Sequence, residues 1–167
     1  VIFVNKWVQQ GSCLDIGCGD GYFLYLMKNH GFNACGTENS AGAVKFAKEN
    51  YNLDIFHGDI NDIKFDNKCF DLITLWHVLE HVPTPTDLLK KVKQLLKSSG
   101  ILVVAIPNTY NWKIPVKKIL NKKLFHHLSA RDEIHLSYFT VKTVTDLLTK
   151  SGFVTVYSGV DDYYPMP

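Results

Sequence analysis

The chain has few of the features that mark nucleic-acid-binding proteins. Its formal net charge is only +2, and Arg131 is the one arginine among basic residues that are otherwise lysines. Binding by phosphate neutralisation needs a larger excess of positive charge, and bidentate recognition of phosphate or guanine relies on arginine. We therefore expect no nucleic-acid partner.

The sequence also lacks membrane-spanning runs and paired cysteines. No apolar stretch reaches about 20 residues, the length that crosses a bilayer, and no segment resembles a cleavable signal. We therefore expect no stable membrane insertion. The four cysteines, Cys13, Cys18, Cys35 and Cys69, form no Cys-x-x-Cys pair and have no histidines at zinc-binding spacing. They are expected to be reduced core thiols of a cytoplasmic protein.

Strand and helix signals alternate along most of the chain. The predicted strands are Ser12–Ile16, Asn33–Thr37, Leu53–Phe56, Phe70–Trp76, Ile101–Ile106 and Phe153–Tyr157. The predicted helices run from about Gly21 to Gly31, onward from the Ser40 cap, from the Thr84 cap to a terminating Gly100, and from the Thr140 cap to Gly152. Such alternation predicts an α/β fold, a doubly wound and mainly parallel sheet with helices on both faces.

The length predicts one domain over residues 1–167. Within it, residues 108–139 form a segment too long for a simple connection, and we expect a lid or substrate loop there. Little chain precedes the first predicted strand or follows the sixth, so the ends are expected to be truncated relative to a complete domain.

The first predicted strand leads into a glycine-dense turn, Gly17-Cys18-Gly19-Asp20-Gly21. Glycines at alternate positions allow positive φ and leave no Cβ between the backbone and a ligand. This predicts a nucleotide-like ligand across the carboxyl end of the strand. Asp15 lies inside the apolar strand, and because a buried charge is costly without a partner, we expect it to have a functional role.

Two further acids follow neighbouring strands. Glu38 comes just after the second strand and Asp59 just after the third, so both are expected to border the glycine turn. A carboxylate at the position of Glu38 can accept from both ribose hydroxyls, and Asp59 is placed to accept from an exocyclic amine of a base. The alternatives are an ordinary loop acid for Glu38 and a turn cap for Asp59.

Together these residues resemble the class I S-adenosylmethionine (SAM)-dependent methyltransferases over roughly Gly11 to Tyr157. The first motif of that family is matched by Leu14-Asp15-Ile16-Gly17-Cys18-Gly19-Asp20-Gly21. Its ribose-binding acid is matched by Glu38-Asn39-Ser40, and its adenine-contacting loop by Gly58-Asp59-Ile60. The motif Val78-Leu79-Glu80-His81-Val82 and the segment His135–Thr140 resemble the ubiquinone and sugar O-methyltransferase-like branch.

The resemblance implies a Rossmann-like methyltransferase fold and an enzyme that transfers the methyl group of SAM to a small-molecule or glycan-linked acceptor. Oxygen is the expected acceptor atom, and S-adenosylhomocysteine is the expected product. The residues that it implies for cofactor binding are Asp15, Gly17, Cys18, Gly19, Gly21, Glu38, Asn39, Asp59, Ile60, Trp76 and His77.

The resemblance makes His81 and His135 the candidate general bases, since the acceptor must lose a proton. The alternatives are a structural hydrogen bond for His81 and a loop-orienting role for His135. Some ubiquinone O-methyltransferases use residues at the position of Glu80-His81 around a divalent metal. The acid that begins their cluster is His77 here, so we expect no metal.

Other functions remain open at this point. An NAD(P)-dependent dehydrogenase would need its third glycine at Tyr22, whereas Gly21 comes one residue earlier. A SAM-binding protein without catalysis, or an inactive partner subunit, is the second alternative.

The lysine-rich amphipathic stretch 112–125 predicts a solvated helix at the active-site mouth, with an acidic substrate or a membrane surface as alternatives. His126 and His127 beside it are expected to be loop residues.

Overall fold

The computed structural model describes residues 4–108 and 135–159. They contain a parallel five-stranded sheet with the strand order β3-β2-β1-β4-β5. The strands are β1 (Ser12–Ile16), β2 (Asn33–Glu38), β3 (Asp54–His57), β4 (Phe70–Trp76) and β5 (Leu96–Ala105). The helices are α1 (Tyr22–Asn29), α2 (Ala41–Tyr51), α3 (Pro85–Leu95) and α4 (Val141–Lys150), preceded by a 3₁₀ turn at Val4–Lys6.

Helices cover both faces of the sheet, as the strand–helix alternation predicts. Successive residues of a strand point to opposite faces, and both faces of the central strands are buried. Leu14 and Ile73 lie in the core cluster that includes the apolar side of α3. Cys13 and Leu72, one residue away, lie in the second cluster with the buried residues of α1 and α2. This confirms the doubly wound arrangement.

Side-chain caps fix the starts of two helices. The Ala43 N–H donates to Ser40 Oγ at 3.3 Å at the start of α2. At α4, Thr140 and Thr143 form a reciprocal capping box. Thr84 precedes α3 as predicted but makes no side-chain cap hydrogen bond.

The predicted end of α3 at Gly100 is wrong. The helix ends at Leu95, and β5 begins at the next residue. Gly100 does not have positive φ; instead, a Cβ there would lie 2.7 Å from Leu96 Cγ and 3.0 Å from the Phe70 carbonyl oxygen. Gly100 therefore permits close packing at a register irregularity between β4 and β5 rather than a helix cap.

The predicted sixth strand, Phe153–Tyr157, is also wrong. No strand is formed there, and the Val154 and Val156 side chains are 87% and 61% exposed. Strand preference depends on cross-strand packing and burial. Among the described residues, β5 pairs only with β4, and Phe153–Tyr157 do not add a strand to its other edge.

Other predictions fall partly or wholly outside the described residues. Asn108 and Phe139, which bound the predicted lid, form an isolated parallel bridge. Most of the lid, with the lysine-rich stretch, His126 and His127, lies outside the described residues. Within the described ranges, no helix is long and apolar enough to cross a membrane.

The four cysteines are free thiols. Cys13 and Cys18 are buried, whereas Cys35 and Cys69 are half-buried. Burial is the largest cause that raises the pKa of each of the four thiols above its ordinary value. The thiols are therefore poor nucleophiles, in agreement with the core role predicted for them.

Candidate functional site

The glycine turn after β1 has the backbone that the sequence predicts. Gly17, Gly19 and Gly21 have φ values of +70°, +55° and +80°, which side-chain-bearing residues rarely adopt. The Gly17 and Cys18 N–H groups donate to the Thr37 carbonyl oxygen at 2.8 and 3.0 Å. These bonds tie the turn to the end of β2.

The glycines face different surroundings. A Cβ at Gly19 would meet no atom within 4 Å, so this part of the turn is open to a ligand. A Cβ at Gly21 would lie 2.7 Å from Leu53 Cδ1 and 3.0 Å from Ala47 Cβ, so this glycine packs against α2 and the residue before β3. The Cys18 side chain lies in the second core cluster. A cofactor contact of Gly21 or Cys18 stays a prediction.

Glu38 links the end of β2 to the glycine turn. Its Oε2 accepts from the Gly19 N–H at 3.0 Å, and its Oε1 accepts from the Ser40 N–H at 2.7 Å. One charge-assisted hydrogen bond therefore ties the carboxylate to the glycine turn, and the other ties it to the start of α2. The expectation that Glu38 borders the glycine turn is confirmed.

A cleft of about 150 Å³ opens beside these residues at the carboxyl ends of the strands. Its lining includes the predicted cofactor residues Gly17, Glu38, Asn39, Asp59 and Ile60. Gly58 belongs to the predicted adenine-contacting loop, and residues without a predicted cofactor role complete the lining: Ile16, Thr37, Asn61, Val78, Val82, Pro83, Thr84 and Leu88. The apolar wall comes largely from the segment between β4 and α3 and the start of α3.

Asp59 lies at the cleft within an Asx turn. Its Oδ1 accepts from both the backbone N–H and the side-chain amide of Asn61, each at 2.8 Å. The turn-cap alternative is therefore realised, and it leaves the exposed carboxylate on the cleft lining. Ile60, which is 3% exposed, places apolar surface next to it.

Asp15 is buried and is not part of the cleft lining. It is 2% exposed, and its Oδ1 accepts from the Thr74 hydroxyl at 2.6 Å. Burial raises the pKa of Asp15 to about 7, opposed by the Thr74 hydrogen bond and reinforced by the nearby charge of Glu38. Thr74 is the partner that a carboxylate inside this strand requires, and direct cofactor contact by Asp15 stays a prediction.

Trp76 ends β4 and His77 follows it, and both residues lie outside the cleft lining. The Trp76 ring packs edge-on against Phe23, with ring centroids 5.2 Å apart. His77 has φ +55°, and its N–H donates to the Ala105 carbonyl oxygen at 2.9 Å. The predicted cofactor roles of Trp76 and His77 therefore stay predictions.

His81 and His135 are brought together although 54 positions separate them. Their ring centroids lie 4.9 Å apart. The Glu80 carbonyl oxygen accepts from the N–H groups of Leu136 and Ser137 at 2.8 and 3.0 Å, which fastens the segment before α4 to the residues after β4. The pairing supports the choice of these two histidines, while their role as bases stays a prediction.

Glu80 is the third member of this group, and the sequence resemblance indicates Glu80-His81 as a metal position in related enzymes without predicting a metal here. One ligand atom each of Glu80, His81 and His135 lies within 4.8 Å of the others. Within the described part of the chain, this is where three metal-ligating side chains converge. A carboxylate and two imidazoles are donors that divalent metals accept. The expected absence of a metal stays untested.

The cleft residues fit the SAM that the sequence resemblance implies. The open side of Gly19 admits a ligand to the turn, and Glu38 and Asp59 offer carboxylate acceptors at the cleft. Ile60, Val82 and Leu88 supply apolar surface for a base. A nucleoside needs this combination of a few convergent polar groups and an apolar lining.

Comparison with known proteins gives a family match. The family described as a methyltransferase domain matches residues 5–158. An uncharacterized protein of Methanocaldococcus jannaschii is 29% identical over 172 residues, which cover 93% of this chain and 66% of that protein. A ubiquinone biosynthesis O-methyltransferase of Glaesserella parasuis is 35% identical over 105 residues, which cover 57% of this chain and 44% of that enzyme.

The fold also has solved counterparts. The crystal structure of a SAM-dependent methyltransferase from Archaeoglobus fulgidus superposes with a TM-score of 0.73 at 24% identity, covering 92% of this chain and 65% of that one. At this level of identity the likeness concerns the fold. The chain spans about two thirds or less of the length of these relatives.

Proposed function

The chain belongs to the methyltransferase-domain family, whose fold here is that of class I SAM-dependent methyltransferases, and we propose that it methylates an oxygen of a small-molecule or glycan-linked acceptor. The observation that carries this proposal is Glu38, which joins the end of β2 to an open glycine turn beside a mixed polar and apolar cleft. The similarity to a ubiquinone biosynthesis O-methyltransferase supports oxygen as the acceptor atom.

The residues on the cofactor side of the site hold SAM and orient it. We assign the ribose hydroxyls to Glu38, because each carboxylate oxygen can accept more than the one N–H bond it already has. Asp59 and Asn39 are assigned to the polar edge of the base, and Ile60 to its face. SAM supplies a methyl group on a sulfonium that is already electrophilic, so the remaining tasks are alignment and proton removal.

The acceptor side removes the proton. His81 and His135 are the proposed bases, and their ring contact places two imidazoles together. The hydrogen bonds from Leu136 and Ser137 to the Glu80 carbonyl oxygen keep His135 in this position. Such a fixed base contributes about 10²- to 10⁴-fold to rate when it lies within hydrogen-bond reach of the acceptor hydroxyl.

The sequence and the thiols support proposals on the acceptor and on the location of the protein. The lysine-rich stretch 112–125 is expected to be a solvated helix at the active-site mouth; of its two functional alternatives we propose an acidic acceptor, such as a sugar nucleotide, a phospholipid-linked glycan or an acyl carrier. A cytoplasmic location is proposed because reduced thiols are typical of that compartment.

Product formation tests the proposed function. The chain is incubated with SAM and a metabolite extract, and S-adenosylhomocysteine is measured by mass spectrometry. We expect product above a control without protein, and a loss of about 100-fold for His81→Ala or His135→Ala. His30→Ala is the matched control, because His30 is an exposed residue at the end of α1. SAM binding without any product would instead support the non-catalytic alternative.

A further inference from the structure

Glu80 is a buried carboxylate for which the proposed function gives no side-chain role. The residue is only 2% exposed. Neither side-chain oxygen has a hydrogen-bond partner among the described residues. A buried carboxylate without such a partner costs free energy, so its retention at this position requires a positively charged or N–H-donating neighbour.

The neighbours of this carboxylate are histidines. His77 Nδ1 lies 3.5 Å from Glu80 Oε1. Ligand atoms of His81 and His135 lie within 4.8 Å of it. Two of the three imidazoles, His77 and His81, come from the segment that follows β4, and His135 comes from the segment before α4. Glu80 is therefore at the centre of the histidines on the acceptor side.

His77, the residue directly after β4, has an unusual backbone conformation. Its φ of +55° is uncommon for a residue with a side chain, and such conformations concentrate at functional sites. The His77 side chain is 46% exposed, whereas that of Glu80 is 2% exposed. One imidazole edge therefore faces a buried carboxylate, while much of the ring stays accessible to another molecule.

We propose that Glu80 is a positioning residue that accepts the Nδ1–H of His77, so that His77 Nε2 carries a lone pair and serves as a proton acceptor in the acceptor site. This inference rests on the proposed function. A carboxylate behind a histidine selects the tautomer and stabilises the imidazolium that forms. The distance of 3.5 Å exceeds that of a formed N–H···O bond, and catalytic hydrogen bonds of this kind often shorten when the substrate complex forms.

The proton balance of the step is simple. The O–H bond of the acceptor breaks, and its proton forms a new N–H bond at His77 Nε2. The oxygen keeps the electron pair with which it takes the methyl group. The imidazolium charge then faces the Glu80 carboxylate at the Nδ1 side. In this step His77 takes the proton first, and His81 and His135, which lie beside the same carboxylate, are the groups to which it passes on.

The tautomer of His77 tests the inference without knowledge of the acceptor. Nitrogen-15 NMR of the labelled chain, at a pH where imidazoles are neutral and with EDTA present, shows which ring nitrogen carries the proton. We expect the Nδ1–H form in the wild type and in Glu80→Gln, whose amide oxygen still accepts. In Glu80→Leu we expect reversion to the Nε2–H form, with His57, which contacts the Asn39 carbonyl oxygen, unchanged.

A dominant Nε2–H form of His77 in the wild-type chain would overturn the inference, even if Glu80→Leu did not fold. Product assays on the same samples separate this failure from failure of the proposed function. Product formation with the Nε2–H form contradicts only the role of Glu80. The Nδ1–H form without product contradicts the proposed function. When both hold, we expect His77→Gln and Glu80→Leu each to lower the rate about tenfold or more, with no further loss in the double variant.

Discussion

The buried carboxylate of Asp15 makes the stability of the folded chain depend on pH. Its pKa is about 7 in the folded chain against an ordinary 3.8, chiefly because of burial. Between these values the folded state binds more protons than the unfolded state, so the free energy of unfolding falls as pH rises. Above about pH 7 the carboxylate is ionised in both states, so the free energy of unfolding no longer falls because of Asp15.

We therefore expect Asp15→Asn to flatten the pH dependence of stability. Asparagine can still accept from the Thr74 hydroxyl, and it carries no charge. Urea unfolding at pH 5 and pH 8 measures the change, which for one proton is at most about 1.4 kcal/mol per pH unit. Equal slopes for the wild type and the variant would show that Asp15 is not the titrating group.

Alanine substitutions at two glycines of the same turn are expected to have different effects, one on stability and the other on SAM binding. Gly21→Ala places a methyl group 2.7 Å from Leu53 Cδ1 in addition to the backbone strain at φ +80°. Gly19→Ala has similar strain at φ +55° but open space around the methyl group. We expect the Gly21 variant to lose about 1–2 kcal/mol more stability in urea unfolding.

The Gly19 variant should be impaired in binding instead. Its methyl group would occupy the side of the turn that is open to a ligand, so we expect SAM affinity to fall at least several-fold, as measured by calorimetry. A Gly19 variant that unfolds more easily than the Gly21 variant would contradict the packing described for the turn. Unchanged SAM affinity would show that this side of the turn does not face the cofactor.

The positions of individual site residues could be predicted where the order of strands along the chain determines them. Glu38 ends β2 and Asp59 comes shortly after β3, and because the ends of neighbouring parallel strands lie side by side, their common position at the cleft follows from topology. Val82 and Leu88 look like ordinary core residues in the sequence. Their place in the cleft depends on how the segment after β4 packs, which no local pattern specifies.

Among the elements, α4 offers the clearest test of a local stabilising interaction. Thr140 and Thr143 satisfy each other's backbone N–H groups at its start. Thr140→Ala removes this capping box and should lower the free energy of unfolding by about 1 kcal/mol. Thr149→Ala, an exposed change in the same helix, is the matched control and should be close to neutral. Equal losses in the two variants would show that the cap contributes nothing specific.

Elements were predictable where one short pattern determined them. The bounds of β1 and β4 agree with the prediction because apolar runs end at glycine or polar residues. The end of α3 was not predictable from Gly100, since a glycine that permits close packing looks the same as a helix cap in the sequence. Phe153–Tyr157 has strand preference, but a strand also requires a neighbour to pair with.

For the whole molecule, the sheet order determines where a ligand binds. Chain connections run outward from β1 toward β2 and β3 and, on the other side, from β4 toward β5. Open α/β sheets bind ligands at the carboxyl ends of strands where this direction reverses. The cleft contains residues from the ends of β1 and β2 and from the segment after β4, which agrees with this rule.

The melting temperature of the whole chain shows whether the cleft binds SAM or NAD. A ligand at 100 times its Kd stabilises the folded state by about 2.7 kcal/mol, which corresponds to roughly 5–10 °C for a domain of this size. We expect SAM and S-adenosylhomocysteine to raise the Tm by this amount and NAD to leave it unchanged. A Tm raised by NAD and not by SAM would favour the dehydrogenase alternative.

The central claim is that the cleft beside the glycine turn binds SAM. The effect of Glu38→Gln on SAM affinity tests this claim most directly. Calorimetry should show saturable 1:1 binding of SAM to the wild-type chain, weakened about tenfold or more in Glu38→Gln because hydrogen bonds to a charged acceptor are lost. Glu49→Gln, at an exposed position on α2, is the control and should bind as the wild type does. Absence of SAM binding, or equal affinity in wild type and Glu38→Gln, would contradict the account.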